Sequence, residues 1–262
     1  MPDRRSMRST ILASLLIALA GVALPANAAA QWPPQSFDNL KVLPADIPVR
    51  ELVNLMAGFT RALGVRCTYC HVGEESIPLD QYDFVSDEKP TKRKARQMLE
   101  MVARINNVEL AGLESRAEPA VAVRCITCHR GASQPRMLQE VLTHAWDVGG
   151  IDSTLATYAR LRESNYGGFT YDFGEVPLVD VAGTLAGRGA GPDAIRLLEL
   201  NVEMNPASAF AYNSLGQALA SAGDVEGAIR AFERSLAIEP GNSTATALLR
   251  QLRGGFSPVS SR

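Results

Sequence analysis

The chain has 262 residues, of which 46% are hydrophobic and 21% charged, with a formal net charge of −2. This length is enough for two modest domains, each with its own hydrophobic core. The slightly acidic balance does not provide the basic surface that nucleic-acid binding requires, so we expect no nucleic-acid partner.

The N-terminal residues have the layout of a secretory signal. Three arginines precede an apolar run of 14 residues from Ile11 to Leu24, and small residues follow as far as Ala29. The run is shorter than the roughly 20 residues that a membrane-spanning helix needs. We predict a cleavable signal peptide over residues 1–28 and a periplasmic mature protein. Membrane association is then not required, and an uncleaved N-terminal anchor is the alternative.

The next hundred residues show the spacing of amphipathic helices. Apolar side chains recur every three or four residues from about Pro48 to Leu63 and from about Thr91 to Ile105. A third helix is predicted from Met137 to Trp146. The alternation of apolar and polar residues that indicates strands is absent. The sequence therefore predicts an all-α protein, with an irregular helical domain over residues 31–148.

The C-terminal part repeats itself after glycine-containing breaks at Gly149-Gly150 and at Tyr166-Gly167-Gly168. Four positions recur 34 residues later with similar side chains, which is the period of the tetratricopeptide repeat. The pairs are Leu178 and Tyr212, Leu185 and Leu219, Ala194 and Ala228, and Pro206 and Pro240.

This period predicts a short tetratricopeptide stack over residues 175–253. The repeats cover about 175–208 and 209–242, and a capping helix runs from Thr244 to Leu252. A linker with a helix over 149–174 precedes the stack, and a flexible tail over 254–262 follows it. Because two repeats are few for an independent domain, we expect the stack to pack against the N-terminal part of the chain.

All four cysteines lie in two copies of one motif, Cys67-Thr68-Tyr69-Cys70-His71 and Cys125-Ile126-Thr127-Cys128-His129. C-x-x-C-H is the attachment signature of haem c. Its cysteines form thioethers to the porphyrin and its histidine binds the iron as proximal ligand. The two copies use every cysteine and two of the three histidines, which chance does not explain. The sequence predicts two covalently bound haem c groups.

Three other uses of the cysteines are weaker. Two C-x-x-C pairs could hold one zinc ion, but the histidine after each pair would then be unexplained. Four cysteines in an exported chain could form two disulfides, with three pairings. A thioredoxin-like pair would require a strand followed by a helix, a context that this stretch lacks.

The sixth iron ligand decides between an electron carrier and an enzyme with an open iron. Met56 precedes the first motif on a predicted helix, and Met98 and Met101 precede the second in the same way. A methionine on the iron raises its reduction potential and closes the site. His144 could instead ligate the second iron. The alternative is that the methionines fill an apolar stripe and that His144 is an ordinary helix residue.

The second predicted helix begins with a basic segment. Lys89, Lys92, Arg93, Lys94 and Arg96 place five cations within eight residues that contain no acidic side chain. Such a run usually forms a solvated helix face. It could also neutralise haem propionates or steer an acidic redox partner.

From Phe37 to Gly131 the chain resembles the cytochrome subunit of photosynthetic reaction centres. The residues that carry the resemblance are Asn54–Met56, Gly64–His71, Lys92–Val102 and Cys125–Gly131. In that family each haem unit is a helix with an axial methionine, a turn and the attachment motif. The resemblance implies Met56 as ligand of the first iron and Met98 of the second, with Met101 still possible. His144 stays the alternative that the residues alone suggest.

The chain also departs from that family. Members on reaction centres carry four haems, whereas two motifs are present here, and this chain lacks a cysteine for a lipid anchor and adds the repeat tail. We therefore interpret it as an exported two-haem electron-transfer protein that serves redox partner proteins. Its tail would bind a protein or peptide. The alternatives are a two-haem, peroxidase-like enzyme with one open iron, or a scaffold whose tail carries the function.

Overall fold

The computed structural model describes residues 37–115 and 118–255. These parts contain nine α-helices and no strand beyond a single bridge between Val72 and Asp83, so the all-α prediction is confirmed. The predicted signal peptide and most of the predicted tail lie outside the described residues. The helices are α1 Val49–Leu63, α2 Pro90–Arg104, α3 Cys125–His129, α4 Leu138–Asn165, α5 Glu175–Gly187, α6 Gly191–Met204, α7 Ala209–Ser221, α8 Val225–Ile238 and α9 Ser243–Gly255.

Local sequence signals explain where the first helices begin and end. Helix α1 ends at Gly64, whose φ of 65° is the left-handed conformation that glycine adopts most easily. Helix α2 has Pro90 in its first turn, where the missing N–H is not needed. A wider π-turn, Ile105–Glu109, follows α2 directly. Across the described parts of the chain, no helix is both long enough and apolar enough to cross a bilayer.

Helix α4 bends at the glycine pair where the sequence predicts a break. Gly149 and Gly150 have non-helical backbone angles, and Gly150 has a φ of 66°. The helix therefore consists of two segments, one that leads out of the second C-x-x-C-H motif and one that leads into the repeats. The bend lets both segments pack on the same hydrophobic core, because Leu142 and Tyr158 are both buried in it.

The main core of the protein lies between α4 and the repeat helices. Leu178 and Leu185 of α5 and Leu197 of α6 are completely buried there. Two repeat helices also begin with a side-chain cap, since Ser208 Oγ accepts a hydrogen bond from the Ala211 amide at 3.0 Å and Asp224 Oδ1 one from the Gly227 amide at 2.8 Å. Because α5 and α6 share their core with α4, the repeat stack packs on α4, as expected for a short repeat array.

The N-terminal part has a much smaller protein core. Across the described residues from 37 to 131, the buried hydrophobic side chains are Ile47, Leu52 and Ala62. The described residues from 138 onward contain twenty. A segment of this length with three buried apolar side chains gains too little from burial to offset its loss of chain entropy. We infer that it needs an additional apolar group to fold.

The packing of the second repeat depends on a glycine against an aromatic ring. A Cβ at Gly216 of α7 would lie 2.8 to 3.0 Å from the ring of Phe232 in α8. We expect Gly216→Ala to lower the free energy of unfolding by about 1–3 kcal/mol in urea denaturation, because the ring must move. Gly183→Ala in α5 is the control, since its Cβ meets nothing within 4 Å. It should stabilise the helix by about 0.5–1 kcal/mol. Equal effects of the two variants would contradict the packing described here.

Candidate functional site

The first C-x-x-C-H motif folds as a tight turn directly after α1. Cys67–Tyr69 form one turn of 3-10 helix, and the Cys67 carbonyl accepts hydrogen bonds from the amides of Cys70 at 3.2 Å and His71 at 2.9 Å. Residues three apart in such a turn are eclipsed, so both cysteines lie on the same side. The histidine follows immediately on this turn. This arrangement is what two thioethers and one iron ligand require.

The start of α2 holds this turn in place. The Lys89 ammonium donates a hydrogen bond to the Thr68 carbonyl, and the Thr91 hydroxyl donates one to the Tyr69 carbonyl. Both acceptors are the residues between the two cysteines. The basic segment therefore fixes the backbone of the motif from outside.

His71 is held by an aromatic contact instead of a hydrogen bond. Its ring meets the Phe84 ring edge-on with 4.8 Å between centroids, and its Nδ1 is buried without a hydrogen-bond partner. Burial, together with the charges of Lys92, Lys89 and Arg96, lowers the pKa of His71 to about 4. The ring is then neutral at pH 7, which is the form that binds a metal.

The loop that carries Phe84 is closed on both sides. The Asp83 amide donates to the Val72 carbonyl at 2.9 Å, and the Tyr82 ring packs against Gly73. The buried Lys92 ammonium then donates to the carbonyls of Phe84 at 2.8 Å, Val85 at 3.1 Å and Ser86 at 2.8 Å. Lys92 thereby holds the loop against α2.

An ion cluster around Asp87 completes this region. Lys41 and Arg96 contact its carboxylate at 2.7 and 2.8 Å, and Asn39 donates to it at 2.9 Å. Hydrogen bonding, from Lys41 above all, holds the pKa of Asp87 well below its usual range. The interpretation of the basic segment as a solvated helix face is thus wrong for Lys92 and Arg96, because both are largely buried in internal contacts.

The second motif forms its own short helix, α3. Cys125 and Cys128 lie one turn apart, and the Arg124 amide donates to Thr127 Oγ1 at 3.0 Å to cap that turn. The Asn106 side chain bonds both the amide and the carbonyl of Val123 at 2.8 Å. These bonds tie Val123, just before the motif, to the turn that follows α2.

His129 is oriented by a hydrogen bond to the backbone. Its Nδ1 lies 2.9 Å from the Ala132 carbonyl, which can only accept, so Nδ1 carries the proton. In the neutral ring this leaves Nε2 as the nitrogen available to a metal. A bond of this kind to the far ring nitrogen is the usual support of a metal-binding histidine.

The two motifs meet through their backbones. The Gly131 amide, two residues after His129, donates to the Ala62 carbonyl of α1 at 2.9 Å. A Cβ at Gly64 would lie only 2.1 Å from the Gly131 carbonyl oxygen. From the other side, the Thr170 hydroxyl donates to the Arg130 carbonyl at 2.7 Å. This junction brings both attachment motifs and the segment before the repeats into one contact.

The close approach of Gly64 to the Gly131 carbonyl can be tested by substitution. Alanine there would have to adopt a φ of 65° and would collide with the Gly131 carbonyl. We expect Gly64→Ala to destabilise the matured protein by about 2–4 kcal/mol in guanidinium denaturation followed at the visible absorbance. Gly167→Ala is the matched control, because Gly167 also has a positive φ but open space around it. A loss no greater than that of the control would show that the close approach is dispensable.

The candidate sixth ligands differ in how far the protein buries them. Met56 is half-buried on α1, on the helix that leads into the first motif. Met98 and Met101 on α2 are 42% and 37% exposed, so neither fills the protein core. His144 is exposed on α4. The exposed methionines thus form an apolar surface on the helix that precedes the second motif.

These residues fit a covalently attached haem. The four thiols form no disulfide. A zinc site would require a group of at least three potential ligands, and the described ranges contain no such group. Burial raises the pKa of the Cys70 and Cys125 thiols. The neutral His71 ring beside the first cysteine pair, exposed methionines and a very small protein core are all features that an apolar, iron-containing ring would complete.

Comparison with known proteins agrees with this geometry. Residues 12–156 match the family described as photosynthetic reaction centre cytochrome C subunit. The chain belongs to this family. It is also 30% identical over 160 residues to the photosynthetic reaction center cytochrome c subunit of Rubrivivax gelatinosus. That match covers 58% of the present chain and 40% of the relative, so the chain spans well under half of that protein's length. Membership of a cytochrome c family implies covalently bound haem.

The C-terminal part matches a second family. Residues 209–242 match the tetratricopeptide repeat, which confirms the predicted repeat tail. Similar solved structures include the first tetratricopeptide domain of Spaghetti bound to an HSP90 peptide. The TM-score is 0.33 and the identity 22%, and the match covers 46% of this chain and 91% of that one. The Sgt2 domain from Aspergillus fumigatus has a TM-score of 0.32 and 18% identity, covering 45% and 76%.

Several positioning contacts are not visible in the sequence. The Ala132 carbonyl that orients His129 is a backbone atom, and no residue type announces it. The Phe84 ring lies thirteen residues beyond the histidine that it contacts. Gly64 carries a signal in the sequence, because glycine is the usual residue where a helix ends in the left-handed conformation.

Proposed function

We propose that this cytochrome is an exported, two-haem electron-transfer protein. Cys67, Cys70 and His71 would hold the first haem, and Cys125, Cys128 and His129 the second. Haem iron supplies one-electron chemistry when bound. The proposal carries over the predicted division into a haem domain over 31–148 and a repeat tail over 175–253, and the predicted periplasmic location.

The observation that supports this most directly is the junction between the two motifs. The bond from the Gly131 amide to the Ala62 carbonyl holds the second motif against the helix that precedes the first. Two attachment sites fixed to one another are suited to passing electrons within the chain. Separate, independently moving sites would lack this fixed relation.

The chain's own residues would set the properties of each site. Met56 on α1 would close the first iron and Met98 on α2 the second, with Met101 and His144 as alternatives for the second. Lys89 and Thr91 hold the first motif from outside, and Ala132 orients His129. The cations near His71, which are Lys89, Lys92 and Arg96, would favour the reduced, less positive state of an iron held there.

A two-haem, peroxidase-like enzyme is the second candidate. It is favoured by the exposure of Met98 and Met101, because a methionine that no protein core holds can leave the iron more easily. Under this alternative the oxidised protein at neutral pH contains one high-spin haem. The reduced protein then binds one carbon monoxide per chain.

The proposal is tested on the matured full-length protein by a pyridine haemochrome assay against protein concentration. We expect two haems of c type per chain and no high-spin signal in the oxidised state. A colourless protein with free, paired or zinc-bound thiols would contradict the proposal altogether. Two haems with one high-spin iron would support the enzyme instead. Unchanged assembly of partner complexes after loss of haem would support the scaffold alternative.

A further inference from the structure

A groove runs between the second segment of α4 and helix α6, with a volume of about 820 Å³. Its apolar floor includes Leu155 and Tyr158 from α4 and Leu200 and Met204 from α6. Helices α5 and α7 do not line it. The groove is therefore formed by one side of the repeat stack together with the helix that joins the stack to the haem domain.

The floor of the groove contains a hydroxyl whose proton has no acceptor. Tyr158 is 1% exposed, and within the described parts of the chain no group accepts a hydrogen bond from its hydroxyl. The neighbouring Arg162 guanidinium can only donate, so it cannot take the hydroxyl proton. A buried hydroxyl without an acceptor is costly, and a carbonyl oxygen in the groove would satisfy it.

The rim of the groove is acidic. Glu163 of α4 and Glu199 and Glu203 of α6 line it, and none of them takes part in an ion pair with another described residue. Two arginines also line the groove: Arg196 pairs with Asp152 at 3.0 Å, whereas Arg162, which stacks on the Tyr166 ring at 3.9 Å, keeps its charge. Three carboxylates therefore face one guanidinium that is unpaired among the described residues. The free carboxylates thus give the rim a negative charge that a basic segment would complement.

The end of the groove lies beside the second haem-attachment motif. Tyr166 lines the groove, and both Tyr166 and Phe169 are about two-thirds exposed, at 67% and 66%. The next residue, Thr170, bonds the carbonyl of Arg130, which directly follows His129. Exposed aromatic side chains are frequent anchors of protein interfaces.

We propose that this groove binds a basic segment of a partner protein, with an apolar side chain on the floor and a backbone carbonyl on the Tyr158 hydroxyl. A partner seated there lies next to the second haem motif. The inference rests on the electron-transfer function proposed above and on the expectation that the repeat tail binds a protein or peptide. Haem content, measured on the same samples, separates a failure of this inference from a failure of the electron-transfer proposal.

The test uses the haem-loaded full chain and a fluorescein-labelled eight-residue peptide of alternating lysine and leucine. We expect saturable binding in fluorescence anisotropy, with little binding of the matching glutamate and leucine peptide. Glu199→Lys with Glu203→Lys should weaken binding about tenfold or more. The control, Glu226→Lys on α8 with Glu239→Lys directly after it, makes the same charge change at residues that do not line the groove and should change binding by less than about twofold.

A second variant tests the floor of the groove. Tyr158→Phe removes only this hydroxyl, whose proton has no acceptor, so we expect nearly unchanged thermal stability together with binding about threefold to tenfold weaker. Equal binding of the two peptides, no binding up to about 1 mM, or identical loss in the groove and control variants would overturn the proposal. Self-association in sedimentation that the groove variant alone abolishes would assign the surface to a second copy of the chain and overturn it too.

Discussion

Replacing Cys125 and Cys128 by serine is expected to halve the haem bound per chain and to unfold the segment around the second motif. The reason is the small protein core of this part, where the described residues from 37 to 131 bury three hydrophobic side chains. Without the attached ring, the exposed apolar surface of α2 has nothing to cover it. The repeat tail, with its own large core, should stay folded.

The measurement combines the haemochrome assay with limited proteolysis and mass spectrometry of the full-length variant. We expect cleavage within about residues 85–131 and an intact fragment from α4 to α9. Ile126→Val is the control, because it changes the same motif without touching a thiol and should keep both haems. A cysteine variant that retains two haems, or that resists protease like the parent protein, would refute this account of the domain.

The second large effect is expected at the proposed sixth ligands. Met98→Ala should convert the second haem to the high-spin state and allow one carbon monoxide per reduced chain to bind. Its reduction potential should also fall, since a methionine ligand raises the potential. Because Met98 is 42% exposed, the truncation removes little buried surface and the protein should remain folded. Met56→Ala should have the same effect on the first haem.

Met101→Ala is the matched control for this prediction. Met101 lies on the same helix, is 37% exposed and loses the same atoms, but is not the proposed ligand. Its spectrum, including the near-infrared band of methionine-ligated iron, should equal that of the parent protein. If Met101→Ala or His144→Ala produces the high-spin haem while Met98→Ala does not, the second iron has a different ligand from the one proposed. If no variant changes the spectrum, the site is open and the enzyme alternative gains.

The patterned parts of the fold could be predicted because their signals are local. Helix α1 was predicted from about Pro48 to Leu63 and is Val49–Leu63, and the capping helix was predicted within α9. The break at Gly149-Gly150 is the bend of α4. Apolar spacing and glycine positions act over a few residues, so the sequence shows them directly.

The surroundings of the motifs could not be predicted in the same way. The basic segment looked like a solvated face, because nothing nearby in sequence marks Lys92 as buried among the carbonyls of residues 84–86. The Asp87 cluster joins residues from three separate segments. Contacts of this kind depend on how the chain returns on itself, and hydrophobic periodicity carries no information about that.

By itself, the amino-acid sequence determined the atoms to which we assign the chemistry: four thiols and two histidines at C-x-x-C-H spacing, with a 34-residue repeat behind them. Covalent chemistry and helix periodicity depend on residue type and short spacing. Only the tertiary structure decided that the two motifs meet at Gly64 and Gly131, that Ala132 orients His129, and that an acidic groove opens between α4 and α6. These features arise from close backbone approach and long-range packing, which many different sequences achieve and no short motif records.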